Sequence, residues 1–418
     1  MRKLAVLSMH TSPLAQPGTG DGGGMNVYVR QLSSALARAG VACDVYTRAS
    51  SPHEPDSVDV EPGLVVHHVP AGPRRPLDKS SLHLVVDEFA LAVERRMAEV
   101  EMFGEPAVDA IHANYWLSGV AGHVLKHRLG LPLVSTFHTL DRVKAEAGPE
   151  EADPSGAGRR ARAESDVIGC SDAVLASCSV EVDQLVELYG ADQSRVEIIA
   201  PGVDHAFFSP GDKTQARRAL RLASDGPLLL FVGRIQPLKG AEVAVGCLAE
   251  LDRLGVSGST LVVVGGPSGP LGDAEVASLS RLVEARGLSA RVRFVPPQTH
   301  ELLSTYYRAA DCCVVPSRSE SFGLVALEAG ACGVPVVASA VGGLTTLVED
   351  GRTGHLVERG DARRFAERVA SIWSRPDHAR AMGAAAAERA KGYTWSVAAA
   401  RLRRLYGELT ARSLVECG

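Results

Sequence analysis

Two glutamates eight residues apart, Glu320 and Glu328, stand on either side of a Ser-Phe-Gly turn. Glu320 follows the apolar run Val314-Val315, which reads as a strand end. Glu328 falls on a helix predicted over residues 322–332, with Gly323 near its start. A helix start carries unpaired backbone N–H groups that attract anions. A ligand lying across it would meet Glu320 at one end, the N–H groups in the middle and Glu328 at the other. A nucleotide-sugar has that form, with two hydroxyl-bearing rings around a diphosphate. Taken alone, the two carboxylates read as a solvated loop residue and a helix-face residue. The Ser-Phe-Gly turn between them and Gly342-Gly343 after the next strand favour a ligand.

A diphosphate leaving group needs its charge neutralised, by a metal or by fixed cations. The metal route usually shows as an Asp-x-Asp at a strand end, and no such motif stands at one here. The nearest approach, Asp59-Val-Glu61, lies in a polar loop before a proline. Arg234 and Lys239, in Gly233-Arg-Ile-Gln-Pro-Leu-Lys-Gly240, supply the cationic route. Lysine is scarce, with only Lys3, Lys79, Lys126, Lys144, Lys213, Lys239 and Lys391, so a lysine beside a glycine invites a role. No nucleophile elbow, serine–histidine–acid order or metal-ligand spacing is read from the chain. Carboxylates eight residues apart also raise a glycosidase pair. An anion cradle with Arg and Lys serves a charged ligand better than an uncharged sugar.

The first half has its own glycine loop, Asp21-Gly22-Gly23-Gly24-Met25-Asn26, between a strand at 4–8 and a helix at 25–39. Consecutive glycines at a helix start admit a phosphate without Cβ interference. The pattern is not GxGxxG, and Tyr46-Thr47-Arg48, not an acid, closes the second strand, which counts against a dinucleotide. His10 and His138-Thr139 end strands where open α/β sheets place ligands. A proline-broken loop holds Lys79.

These residues need elements to hold them, and the chain alternates predicted strands and helices in two similar halves. Strands are expected at 41–47, 62–70, 110–112, 132–137, 173–177 and 196–199, then at 227–232, 259–265, 292–295, 311–315 and 334–338. Helices include 81–102, 118–129, 161–170, 181–189, 241–254, 273–286, 300–308, 362–373, 378–392 and a last one over 395–417. The segment 146–161 reads as a mobile loop and 205–217 as a crossing between halves. The pattern implies an α/β protein of two doubly wound domains facing a cleft, residues 1–204 plus 395–418 and residues 205–394. With 44 basic and 49 acidic residues among 418, nothing marks a nucleic-acid or membrane surface. No apolar run reaches the length of a bilayer span. The eight cysteines lack a CxxC, and most sit in apolar segments, which predicts reduced, buried thiols of a cytoplasmic protein.

The motif Pro316…Glu320-Ser-Phe-Gly…Glu328-Ala…Gly333-x-Pro-Val, with Gly342-Gly343 and the Arg234–Lys239 loop, resembles the retaining glycosyltransferases of family 4, which have the GT-B fold. The resemblance runs from residue 1 to about 406. In the first half, Ser8-Met-His10-Thr-Ser-Pro…Gln16-Pro17…Gly24-Met25-Asn26-Val-Tyr28, Tyr115-Trp-Leu-Ser-Gly119 and His138-Thr139-Leu narrow it. They are similar to the members that move N-acetylglucosamine from UDP-N-acetylglucosamine to 1D-myo-inositol 3-phosphate, the first step of mycothiol biosynthesis. The resemblance implies donor contacts by Gln16, Pro17, Gly24, Arg234, Lys239, Gln298, Glu320 and Glu328. It implies acceptor contacts by His10, Asp21, Gly22, Gly23, Gly24, Met25, Asn26, Lys79, Tyr115, Thr139 and Arg160. Arg234 and Lys239 would bind the diphosphate, Glu328 the ribose and Glu320 the transferred sugar. His138 would offer its backbone carbonyl to an oxocarbenium-like centre. Transfer would be front-face, with a donor phosphate oxygen taking the acceptor's proton and no metal in the chemistry. A structural magnesium ion and a homodimer are also compatible with the family.

Three positions depart from that pattern. Asn114 stands where a histidine is expected, Gln298 where an arginine is expected, and the 146–160 loop is one residue longer, so Arg159 competes with Arg160; Arg160, four residues before Glu164, is preferred. Other readings stay open: another phosphorylated or lipid acceptor, a nucleotide-sugar binder without turnover, or an NAD-dependent oxidoreductase.

Overall fold

The computed structural model describes residues 2–18, 20, 22–105, 107–148, 158–223, 225–268 and 272–417. Asp21 lies outside these residues, as does much of the 146–161 loop. Two compact units form, one from Met1–Ala15, Gly24–Pro201 and Trp395–Gly418, the other from Gln16–Gly23 and Gly202–Thr394. The short loop Gln16–Gly23 therefore packs with the second unit, although it lies between the first strand and first helix of the other.

In the first unit the strands are β1 (Lys3–Leu7), β2 (Ala42–Arg48), β3 (Ser57–Glu61), β4 (Leu64–Val69), β5 (Ala110–Asn114), β6 (Leu133–Thr136), β7 (Ala173–Ala176) and β8 (Val196–Ile198). They make one sheet in the order β3-β4-β2-β1-β5-β6-β7-β8. Every pairing is parallel except β3 with β4. All five residues of β1 are buried, as expected where helices cover both faces of a parallel sheet. The pleat sends Ala5 and Leu7 into one core and Leu4 and Val6 into the other. The second of these cores also takes Val29, Leu32 and Leu36 of the helix Gly24–Arg38, with Trp395, Leu402, Leu405 and Tyr406 of the last helix.

The second unit has β9 (Leu228–Val232), β10 (Thr260–Val264), β11 (Val292–Val295), β12 (Cys312–Val315), β13 (Val336–Ser339) and β14 (Gly354–Val357). These form an all-parallel sheet in the order β11-β10-β9-β12-β13-β14. In both sheets the winding reverses, between β1 and β5 in one and between β9 and β12 in the other. Ligands bind outside the carboxyl ends of strands at such a reversal. The loops that follow β1, β5, β9 and β12 carry His10, Tyr115, Arg234 and Glu320.

Several expectations need correction. The helix expected over 322–332 runs Leu324–Ala331, because Gly323 adopts φ +106° and caps it. The helix expected from 81 begins as a 3₁₀ turn, Lys79–Val85, before the α-helix Val86–Met102. The stretch 205–217, read as a crossing, includes the start of a helix, Lys213–Ala219, whose Asp212 side chain accepts from the Gln215 N–H. The last helix stops at Leu409 rather than 417. The strand expected at 62–70 is one arm of a hairpin whose other arm is β3. A short helix, Asp141–Ala147, follows Thr139 and was not foreseen. Six cysteines are buried free thiols, but Cys170 and Cys417 form a disulfide, against the expectation that all eight are reduced.

Candidate functional site

The second unit gathers Glu320, Lys239 and Arg234 at the reversal of its sheet. The Lys239 ammonium donates to a Glu320 carboxylate oxygen at 2.6 Å, and the Ser317 hydroxyl donates to the same oxygen at 3.1 Å. Sequence reading assigned Lys239 and Glu320 to different parts of a donor; here they pair with each other. Both side chains are only partly buried, so their remaining donors and acceptors stay within reach of a ligand. Two glycines make this loop possible. A Cβ on Gly342 would strike the Glu320 carbonyl oxygen, and one on Gly343 would strike the Ser321 carbonyl oxygen. The Gly343 N–H donates to the Glu320 carbonyl at 2.9 Å, fixing the turn.

Arg234 donates to the Ser268 hydroxyl at 3.0 Å, and a Cβ on Gly23 would come within 3.3 Å of Arg234 Nε. The glycine loop thus brings bare backbone beside the guanidinium. Gln16 donates to the Pro297 carbonyl at 3.1 Å, and Gly18 lies against the Pro297 ring. Neighbouring Gln298 turns its amide back to the Pro296 carbonyl at 2.7 Å. The Gly22 carbonyl accepts from the Gly18 N–H at 2.9 Å, and Pro17 immediately precedes that closure.

Glu328 is buried, and Tyr307 donates to it at 2.8 Å. Burial disfavours the carboxylate and raises its pKa from 4.5 to about 7, the tyrosine hydrogen bond opposing the rise. Hydroxyl donors from a ligand would stabilise the ionised form further.

The first unit gathers a second set around the Tyr115 ring. Lys79 Nζ lies 5.3 Å from the ring centroid, and the Arg160 guanidinium lies 5.0 Å from it. His10 packs on the same ring at 4.3 Å between centroids. Arg160 is buried and donates to the Thr139 carbonyl at 2.6 Å, to the Thr139 hydroxyl at 3.1 Å and to Glu164 at 2.7 Å. Arg159 instead faces His83, 2.6 Å away. Burial thus singles out Arg160, the arginine four residues before Glu164 and the one preferred from that spacing. Asn26 is buried and donates to the Thr11 hydroxyl at 2.7 Å and the Ser12 carbonyl at 2.6 Å, holding the loop after β1. Met25, the second residue of the same helix, is partly buried against the apolar cores, and Gly24 opens the helix.

Tyr115 and His138 both have positive φ, at 77° and 61°. Non-glycine residues rarely adopt this conformation, and it costs on the order of 1–3 kcal/mol where it is held. At His138 it aims the backbone away from the strand line, while the ring Nε2–H donates to Asn114 Oδ1 at 2.9 Å. The ring is buried, which pushes its pKa down to about 3, aided by nearby His112. His138 is therefore neutral at physiological pH. Asn114, which departs from the expected histidine, is the side chain that meets it. The buried groups Glu164, Asn114 and Tyr307 position Arg160, His138 and Glu328, and of the three, sequence reading gave Tyr307 no part.

Residues 212–389 match the model of glycosyl transferases group 1, and residues 23–202 match the glycosyl transferase 4-like domain. The chain is 46% identical to D-inositol 3-phosphate glycosyltransferase 2 of Catenulispora acidiphila, over 97% of this chain and 94% of that one. It is 45% identical to the D-inositol 3-phosphate glycosyltransferase of Mycolicibacterium smegmatis, over 94% and 88%. The chain belongs to the D-inositol 3-phosphate glycosyltransferase family. It is a transferase with the GT-B architecture of two parallel-sheet α/β units. A sucrose-phosphate synthase from Thermosynechococcus elongatus superposes with a TM-score of 0.90 at 34% identity, covering 98% of this chain and 100% of that one. Anabaena HepE in complex with UDP-glucose shares the fold alone, with a TM-score of 0.75 at 19% identity over 97% and 99% of the chains.

Proposed function

We propose that this family member transfers N-acetylglucosamine from UDP-N-acetylglucosamine to 1D-myo-inositol 3-phosphate with retention of anomeric configuration. The observation that carries the acceptor half is the pair of cations, Lys79 and Arg160, converging on the Tyr115 ring beside Thr139 and His10. A phosphate monoester needs such a doubly cationic seat, and an unphosphorylated sugar does not. The aromatic ring and His10 offer flat surface to the cyclitol. In the donor half, Arg234, Lys239 and the bare backbone of Gly23 hold the diphosphate. Glu320 takes hydroxyls of the transferred sugar, Glu328 those of the ribose, and Gln16, Pro17 and Gln298 border the base.

Lys239 and Arg234 stabilise the negative charge that develops on departing UDP. A diphosphate oxygen on the same face accepts the acceptor's proton, so no enzyme carboxylate forms a covalent intermediate. The neutral, Asn114-anchored His138 does not act as base through its ring; its positive-φ backbone presents the carbonyl to the cationic centre. Fixed cations suffice for this chemistry. A structural magnesium ion wants oxygen ligands. Among the described residues, the one group of three or more candidate His, Cys, Asp or Glu ligands is made of nitrogen and sulfur, so no step is assigned to magnesium.

The reading extends to a cytoplasmic homodimer. Six buried free thiols suit a reducing compartment. No helix among the described residues is long and apolar enough to cross a membrane. Sedimentation of the purified chain tests the dimer. The activity is tested by incubating it with UDP-N-acetylglucosamine and inositol phosphate, together and singly. UDP release that requires both supports the proposal; release independent of the acceptor, or none, defeats it.

A further inference from the structure

Four potential metal ligands converge in the first unit, on a face that the transfer chemistry does not use. His123 and His127 lie four residues apart on the helix Trp116–Leu129, a spacing that puts both rings on one face. Their ring centroids are 4.9 Å apart. Cys170 ends the helix Arg159–Cys170, and Cys417 comes from the tail beyond the last helix. The Cys417 sulfur is 3.1 Å from His127 Nε2 and 3.7 Å from His123 Nε2. All four ligand atoms lie within 4.8 Å of one another. Tetrahedral zinc with two sulfurs and two nitrogens requires ligand-to-ligand separations of about 3.4–3.8 Å, set by Zn–S and Zn–N distances of about 2.3 and 2.0–2.1 Å.

We propose that His123, His127, Cys170 and Cys417, with the two cysteines reduced, bind one zinc ion that fastens the carboxyl-terminal tail to the first unit. Two thiolates and two imidazoles are the donor set of closed structural zinc sites, and softer than magnesium or calcium accept. The surroundings already bring the four side chains together without the metal. Lys126, between the two histidines and almost wholly buried, donates to the Cys170 carbonyl at 2.7 Å and pairs with Asp172 at 2.9 Å. Asp172 also accepts from the Val415 N–H at 2.7 Å, two residues before Cys417. The helix, the cysteine after it and the tail are thus tied through one buried ion pair, the kind of outer support that orients metal ligands.

The two sulfurs are disulfide-bonded in the structure, and that bond and a metal exclude each other. A dithiol reductant delivers two electrons and two protons to the disulfide and becomes a cyclic disulfide itself. Zinc then displaces the two thiol protons and binds two thiolates. No metal-ligand spacing was read from the sequence, because the partners of His123 and His127 lie 43 and 290 residues further on, measured from His127, and only the fold assembles them.

The test uses the untagged full-length chain, purified with a dithiol reductant and then freed of it without oxygen. Zinc content is read by atomic emission, and Co2+ substitution is followed in the visible and near-ultraviolet. The proposal expects one tightly held zinc per chain and thiolate-to-cobalt charge-transfer bands. Cys417→Ser and His127→Ala, both outside the transfer site, should each weaken zinc binding more than about tenfold. Zinc should raise the thermal midpoint of the wild-type chain but not that of Cys417→Ser. A reduced chain with all its thiols titratable that retains no more zinc than Cys417→Ser overturns the proposal. So does a disulfide that persists under reductant in the folded chain.

Discussion

Replacing Lys79 with alanine isolates the acceptor seat. Lys79 is exposed, opens a 3₁₀ turn, and its ammonium lies over the Tyr115 ring. Among the described residues no carboxylate pairs with it, so its removal strands no buried charge and should leave the thermal midpoint within about 1 °C. What it loses is one of two cations facing the acceptor phosphate. Opposite unit charges about 4 Å apart interact by about 4 kcal/mol at the effective dielectric near a protein surface. Arg160 remains, and solvent reaches Lys79, so the loss should be about 2–4 kcal/mol. At 1.36 kcal/mol per factor of ten, that is a rise of roughly 30- to 900-fold in the acceptor KM. The contact is made in ground and transition states alike, so kcat should change far less. Steady-state kinetics with each substrate varied in turn reads both constants. Equal effects on donor and acceptor KM, or a fall in kcat alone, would refute a phosphate-binding role.

Gly323→Ala places a Cβ at φ +106°, 2.6 Å from Leu344 Cδ2, and should destabilise the second unit by about 1–3 kcal/mol, seen as a lower thermal midpoint. The raised pKa of Glu328 means that the folded chain binds this proton more tightly than the unfolded chain. Its contribution therefore lowers stability as pH rises from 4.5 to about 7, by about 3 kcal/mol at full shift. Denaturation at pH 5 and pH 8 should show Glu328→Gln less pH-dependent than wild type by that amount; parallel curves would contradict the buried carboxyl. His138, with its pKa pushed down to about 3, should show ring resonances that do not titrate between pH 8 and 5; a ring that titrates in that window would contradict the enclosed, neutral imidazole.

Much of the fold could be read before the structure because its signals are local. The strands at 227–232 and 311–315 are short apolar runs, and glycine loops follow them, so the reversal of winding fell where Arg234 and Glu320 stand. What escaped depends on burial or on distant partners. Arg160 was preferred to Arg159 from its spacing to Glu164, but its bonds to Thr139 come only from packing. Lys239 and Glu320 were assigned to different ligand groups, yet 81 residues apart they form an ion pair. Cys170 and Cys417 are 247 residues apart with no motif to join them. The helix ends at 409 and 324 were misjudged because Gly323 and the polar tail act through conformation, not hydropathy.

The central claim is the identity of the transfer, and product structure tests it most directly. The chain is incubated with UDP-N-acetylglucosamine and either inositol 3-phosphate, unphosphorylated inositol or an unrelated sugar phosphate. The products are then resolved by mass and by the anomeric coupling in proton NMR. The account predicts one phosphorylated glucosaminyl-inositol, formed from the first acceptor alone and keeping the donor's α configuration. An inverted linkage, or equal turnover of unphosphorylated inositol, would contradict it.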